Sequence, residues 1–225
     1  MRKEAIIQSL IDRNLAKSYL EIGVFRGETF LQIRSKRKVA VDPFFRIPLS
    51  DKLRWTLRNP NNLFAHYHEV TSDAYFADHC RHTFDVIFID GLHTYQQSLK
   101  DLLNSLSVLN DNGVILMHDC LPPHAAAATP AHSAEAAEAA NIPGWTGEWC
   151  GDVWKTICYL RSHCPDLRVS TLPHDYGIGV ITKGTPQDTL SLSEQEIEQM
   201  TFNDLLANRD QLLNIQDFIE LNSII

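Results

Sequence analysis

Little in this chain suggests a membrane, a nucleic acid or a disulfide-built scaffold. The N-terminus, MRKEAIIQSLIDRN, holds no apolar run long enough for a signal peptide or a membrane span. Basic residues are not in excess: 20 Lys and Arg against 28 Asp and Glu leave a net charge of −8. That balance argues against general nucleic-acid binding and against attraction to an anionic membrane. The five cysteines, at 80, 120, 150, 158 and 164, are odd in number and include no CxxC pair. They read as reduced thiols of a cytoplasmic protein, not as a zinc site or disulfide framework. No internal repeat and no clean domain boundary interrupts the chain. What remains is an ordinary globular composition, 44% hydrophobic and 21% charged over 225 residues. Such a chain suits one large α/β domain, residues 1–225, whose core needs no staples.

Along the chain, the hydrophobic period alternates between helix and strand. Ile6, Ile7, Leu10 and Ile11 share one helical face, so residues 3–14 are expected to form an amphipathic helix. Residues 18–22 read as a strand, followed by a glycine-bearing turn and a helix over 27–34. A second strand over 38–42 halts at Pro43. A helix over 49–58, an alternating strand over 63–68 and a short helix over 72–80 come next. The run from Phe84 to Asp90 is almost wholly apolar, as expected of a central parallel strand buried on both faces. A helix from Tyr95 stops at Asn110-Asp111-Asn112-Gly113, and residues 114–119 form another buried strand. The rhythm breaks over 121–150, a stretch rich in Ala, Pro and His that reads as a lid with a short helix near 134–140. A helix over 152–162 precedes strands at 167–172 and 177–182, joined so tightly that they must be antiparallel. Ser193 and Glu196 form a capping-box pattern, and 202–219 reads as a last helix within a helical extension, 191–225. The expected fold is α/β: a Rossmann-like, doubly wound, seven-stranded sheet, mostly parallel, with a C-terminal antiparallel β-hairpin.

The first strand leads into Glu21-Ile22-Gly23-Val24-Phe25-Arg26-Gly27. Glycines there let backbone N–H groups and a helix N-terminus approach a ligand. Asp42 ends the next strand, nineteen residues after Gly23, where a carboxylate can accept hydrogen bonds from both ribose hydroxyls. Together these point to an adenosine-containing cofactor. The full GxGxxG that would seat a dinucleotide pyrophosphate is missing, and Val24-Phe25-Arg26 fills the space.

With Glu21–Gly27, Val41-Asp42-Pro43, FDVIFIDGLHTY at 84–95, LNDNGVILMHD at 109–119 and the closing hairpin in this order, the chain resembles the class I S-adenosylmethionine-dependent methyltransferases. It is most similar to their small-molecule and sugar O-methyltransferase branch. The resemblance implies that Glu21 and Gly23 lie near the methionine end of S-adenosylmethionine, with Gly27 in the turn. It places Asp42 on the ribose, Ser72 at the adenine and Asp90 beside the transferring methyl.

On the acceptor side His93, His118 and Asp119 project from carboxyl ends of central strands, where open α/β sheets bind ligands. A histidine can remove a hydroxyl proton as the methyl is attacked. His93 is the leading candidate for that base, and His118 and Asp119 are the alternatives. Asp90 and Asp119 also match positions where catechol-type relatives hold Mg²⁺, although Cys120 stands where that pattern has Asn or Asp. The expected partner is a small-molecule acceptor, with neither nucleic acid nor membrane, and the amphipathic terminal helices could form a homodimer contact. A hydroxylase-like relative on the same scaffold and a non-catalytic adenosine-binding module are the alternative functions.

Overall fold

The near-continuous apolar runs become strands buried on both faces, as a parallel sheet between helix layers requires. The computed structural model of the protein describes residues 1–186 and 188–217. The strands are β1 Ser18–Ile22, β2 Arg37–Val41, β3 His66–His68, β4 Phe84–Ile89, β5 Leu109–Met117, β6 Leu167–Leu172 and β7 Ile178–Lys183. They form one seven-stranded sheet in the order β3-β2-β1-β4-β5-β7-β6. β1 pairs in parallel with β2 and with β4, and β2 pairs in parallel with β3. β6 and β7 are antiparallel, in register from Leu167↔Lys183 to Leu172↔Ile178. The order runs outward in opposite directions from β1 and β4. Open sheets bind ligands at the carboxyl ends of the strands that flank such a reversal. The doubly wound sheet with its closing hairpin is therefore as the hydrophobic rhythm predicts.

The helices are α1 Lys3–Arg13, α2 Leu49–Arg58, α3 Ser72–Ala74, α4 Tyr95–Ser107, α5 Ala134–Ala139, α6 Trp154–His163, α7 Glu194–Gln199 and α8 Phe202–Leu213. None among the described residues is long and apolar enough to cross a membrane. The chain divides into two compact units, Met1–Gly91 with Asp101–Leu116, and Leu92–Lys100 with the chain from Met117 onward.

In the first unit α1 buries Ile6, Ile7, Leu10 and Ile11, the face read from their spacing. β1 is buried along its whole length. The helix expected over 27–34 does not form. Residues 28–32 make only a turn, tied by Leu31 N–H to Gly27 O and Gln32 N–H to Thr29 O. The reason lies in who takes the carbonyls. Lys38 Nζ donates to Phe30 O, Asn59 Nδ2 to Leu31 O and Ile33 O, and Asn62 Nδ2 to Leu31 O. These side chains occupy acceptors that a helical ladder would need for its own N–H groups. The strand expected over 63–68 is also shorter. Pro60–Phe64 is a 3₁₀ turn, with Pro60 at a first-turn position that needs no N–H, and only His66–His68 pair with β2. At the other end of the unit, Asn110 to Gly113 do not stop the chain in a turn but belong to β5. Asn110 Nδ2 donates to Asp85 Oδ1 at 2.6 Å and ties the first residues of β5 to the start of β4.

In the second unit α6 buries Trp154 and most of its length, and α7 opens with the capping box of Ser193 and Glu196. A second capping box, Thr201 with Asp204, opens α8. The expected helix to Ile219 ends instead at Leu213, where Asn214 takes a left-handed conformation. Thr171 N–H donates to Asn214 O and Gln216 N–H to Thr171 O, so the chain pairs beside β6 once the helix has ended. Residues 218 and 219 of that expectation, and the end of the 191–225 extension, lie outside the described residues.

Candidate active site

The site residues expected from the sequence fall into two groups, one in each unit. In the first, the turn after β1 is shaped by Gly23, whose φ of +84° is a conformation that side chains disfavour. A Cβ at Gly23 would sit 1.9 Å from the carbonyl oxygen of Asp90, so only glycine lets the ends of β1 and β4 approach this closely. Gly27 closes the turn by donating its N–H to Val24 O. Asp42 is nearly buried beyond β2. Its Oδ2 accepts the Phe25 N–H and its Oδ1 the Phe44 N–H, each at 2.7 Å. An ionised carboxylate has about four acceptor positions, so these two bonds orient it and leave capacity for a pair of hydroxyls. Ser72 opens α3, capped by Thr71 Oγ1 accepting from Ala74 N–H. Asp90 follows β4, and its Oδ2 is ion-paired with Lys3 Nζ at 2.8 Å.

Glu21 is 1% exposed, and its Oε2 accepts the Tyr19 hydroxyl at 2.5 Å. The two alternate along one strand face, so the partnership follows from the period of two. Burial pushes the Glu21 carboxyl up to about 8 against the pull of the Tyr19 hydrogen bond, and burial likewise raises Tyr19. Lys38 on β2 is also buried, and desolvation lowers it to about 7 while Glu21 opposes the shift. Its ammonium nitrogen bonds Phe30 O and Asn62 Oδ1, over the Phe30 ring. Glu21 is thus a carboxyl kept largely neutral beneath the glycine turn.

In the second unit His93, His118 and Asp119 come together. Asp119 Oδ2 lies 3.1 Å from His93 Nε2 and 3.0 Å from His118 Nδ1. The other His93 nitrogen, Nδ1, is 2.8 Å from Trp149 O. A carbonyl can only accept, so Nδ1 carries the ring proton, which leaves Nε2 facing the Asp119 carboxylate. The Trp149 indole also packs over the His93 ring, 4.9 Å between centroids. Gly151, with φ +59°, lies against His93 so closely that a Cβ would meet its carbonyl oxygen at 1.8 Å. Asp119 itself has a left-handed backbone, φ +62°, uncommon for an L residue and costing of the order of 1 kcal/mol. Such strain persists only where the surroundings fix it, here by two imidazoles on one carboxylate oxygen. His118 Nε2 faces Asp175 Oδ1 at 3.9 Å. The segment 121–150 is fastened at its return: Cys150 and Gly151 N–H groups donate to Ala127 O and Trp149 Nε1–H to Thr129 O.

Both carboxylates that match the Mg²⁺ positions already have partners in the structure. Asp90 Oδ2 has the Lys3 ammonium beside it and Asp119 Oδ2 receives two ring nitrogens. Burial pushes the Cys120 thiol far up, so it stays a thiol that bonds Met117 O, a poor partner for a hard cation. Sequence reasoning did not single out Lys3, Tyr19, Lys38 or Asp175 as site residues. Tyr19 was within reach, because it shares a strand face with Glu21. The other three carry no local signal, since their partners lie in other parts of the chain.

Residues 20–120 match the family model described as a methyltransferase domain. No curated protein matches the chain. Among solved structures it is similar to an S-adenosylhomocysteine-bound methyltransferase, PaMTH1, from Podospora anserina: 17% identity, 80% of this chain and 76% of that one, TM-score 0.57. It is also similar to an O-methyltransferase from Bacillus cereus in complex with S-adenosylhomocysteine, at 14% identity, 80% of each chain and TM-score 0.55. A third is the O-methyltransferase TomG from Streptomyces achromogenes, in complex with S-adenosylmethionine, at 12% identity, 81% and 79% coverage and TM-score 0.53.

Proposed function

We propose that this chain is a class I S-adenosylmethionine-dependent methyltransferase and that it methylates a hydroxyl oxygen of a small molecule, a reading supported by the methyltransferase-domain match over residues 20–120. The observation that carries the oxygen assignment is the His93–Asp119–His118 group, since a hydroxyl must lose a proton as it is methylated and an acid–base set is what that requires. S-adenosylmethionine supplies a methyl already activated on a sulfonium. The protein's tasks are therefore positioning and proton removal.

On this reading Gly23 and Gly27 shape the turn that receives the methionine end, with Glu21 below it. Asp42, already oriented by Phe25 and Phe44 N–H groups, accepts the ribose hydroxyls. Ser72 faces the adenine, and Asp90, held by Lys3, lines the methyl. His93 is kept in place by the Trp149 carbonyl and, with Asp119, takes the acceptor proton, which His118 can share through the same carboxylate oxygen. Residues 121–150 cover the acceptor.

Calorimetric titration with S-adenosylmethionine and S-adenosylhomocysteine tests the cofactor half. Both should bind at micromolar strength to the wild type and at least tenfold more weakly to Asp42→Ala. Transfer of a labelled methyl to hydroxylated acceptors tests the rest: His93→Ala and Asp119→Ala should lose turnover while binding cofactor normally. Undiminished turnover in both would overturn the base assignment.

A further inference from the structure

A cavity of about 250 Å³ opens in the second unit, outside the acid–base group. Its walls come from the residues after β5, from the β6–β7 turn and from α8, and include Leu121, Pro122, Tyr176, Leu205, Leu206 and Arg209. Spacing explains the start of the α8 wall: positions 202, 205 and 206 lie on one helical face, before the non-helical backbone of Asn208. Apolar side chains stay partly uncovered around it, with Leu206 61% and Tyr176 39% exposed. Among the described residues that line it, Arg209 is the charged one. Its ion pair is with the adjacent and exposed Asp210 at 3.3 Å, of the kind that contributes little and exchanges readily.

The cavity is tied to the acid–base group by backbone. Cys120 N–H donates to Gly177 O and Leu121 N–H to Tyr176 O, at 3.0 and 2.7 Å. The Tyr176 ring that lines the cavity stands edge-on to His118, centroids 6.3 Å apart. Beside it, the Asp175 carboxylate faces His118 Nε2. Arg209 thus brings a cation to the cavity wall, and Tyr176 in that wall contacts the His118 ring that faces Asp175.

We propose that this cavity is the acceptor's specificity subsite and that it takes a hydroxylated apolar acid, a ring or short chain bearing a carboxylate. The anion pairs with Arg209, the apolar body lies on Leu121, Leu205 and Leu206, and the hydroxyl points along Tyr176 toward His118. The reverse orientation would set the acid's charge against Asp175. This rests on the oxygen-methylation reading and narrows it from hydroxyl compounds in general to hydroxy acids.

The test needs no turnover. Calorimetry with 3-(4-hydroxyphenyl)propanoate and its neutral amide, in the presence of S-adenosylhomocysteine, isolates the charge. The acid should bind saturably and about three- to fivefold more tightly than the amide, the range of a partly exposed ion pair. Arg209→Glu should weaken the acid about tenfold and leave the amide unchanged. Leu206→Glu, at an exposed position that spares the fold, should weaken both. Equal binding of acid and amide, an acid indifferent to Arg209→Glu, or no saturable binding would each overturn the proposal. Binding of S-adenosylhomocysteine itself separates the two failures. If it binds and the acid does not, only the subsite falls; if neither binds, the methyl-transfer reading falls as well.

Discussion

At Glu21 burial has a large thermodynamic consequence. Its carboxyl would ionise near 4.5 in the unfolded chain and does so at about 8 when folded. Below pH 4.5 both states hold the proton. Between 4.5 and 8 the unfolded chain gives it up and the folded one does not, so stability falls as pH rises, by at most about 1.4 kcal/mol per pH unit. Lys38 acts in the next window. It is neutral above about 7 when folded but charged up to 10.5 when unfolded, so its contribution makes stability rise with pH there. A stability minimum near neutral pH is the expected outcome. In Glu21→Gln the falling limb between pH 5 and 8 should vanish, as thermal unfolding across that range would report. A limb that persists in the variant would assign the effect to other groups. Histidines at this scale behave differently: His93 has both ring nitrogens engaged, which its place in the chain does not foretell.

At the scale of elements, side chains replace a helix in one place and leave one uncovered in another. Asn62 both donates to Leu31 O and accepts from Lys38 Nζ at 2.6 Å. Asn62→Ala leaves a buried carbonyl and a buried amine short of a partner and should cost about 3 kcal/mol in denaturant unfolding, with weaker cofactor binding as the glycine turn loosens. α2 is the contrast. It buries no residue, and Leu49, Leu53 and Leu57 all face outward. Leu53→Glu should change stability by no more than about 0.5 kcal/mol; a loss of several would mean that α2 is covered in solution. The amphipathic period made α2 legible as a helix, yet it says nothing about whether its apolar face finds a partner. The same period suggested a helix after Gly27, where Lys38, Asn59 and Asn62 claim the carbonyls first. Local pattern reads the preferences of a segment and not the competition for its acceptors.

Across the whole molecule, the five thiols report on burial. Cys120, Cys150 and Cys158 are buried, whereas Cys80 and Cys164 are partly exposed. Burial raises Cys120, Cys150 and Cys158, and Cys150 also has the Asp119 carboxylate beside it, so these three stay protonated and shielded. A thiol reagent should therefore titrate two groups quickly in the native protein and the other three at the rate of unfolding. Five equivalent thiols would contradict the packing around β5 and α6.

The alternation of strands and helices, the closing hairpin, the glycine turn with Asp42 and the candidates His93, His118 and Asp119 are all legible in the amino-acid sequence, because each depends on period or on a spacing within one strand–turn unit. The tertiary structure alone decided what those residues touch. Trp149 reaches His93 across 56 positions, and Lys3 reaches Asp90 across 87. Nothing in either neighbourhood encodes the meeting. Such partners are set by how packed elements bring distant backbone together, and packing is a property of the whole core and not of any segment within it.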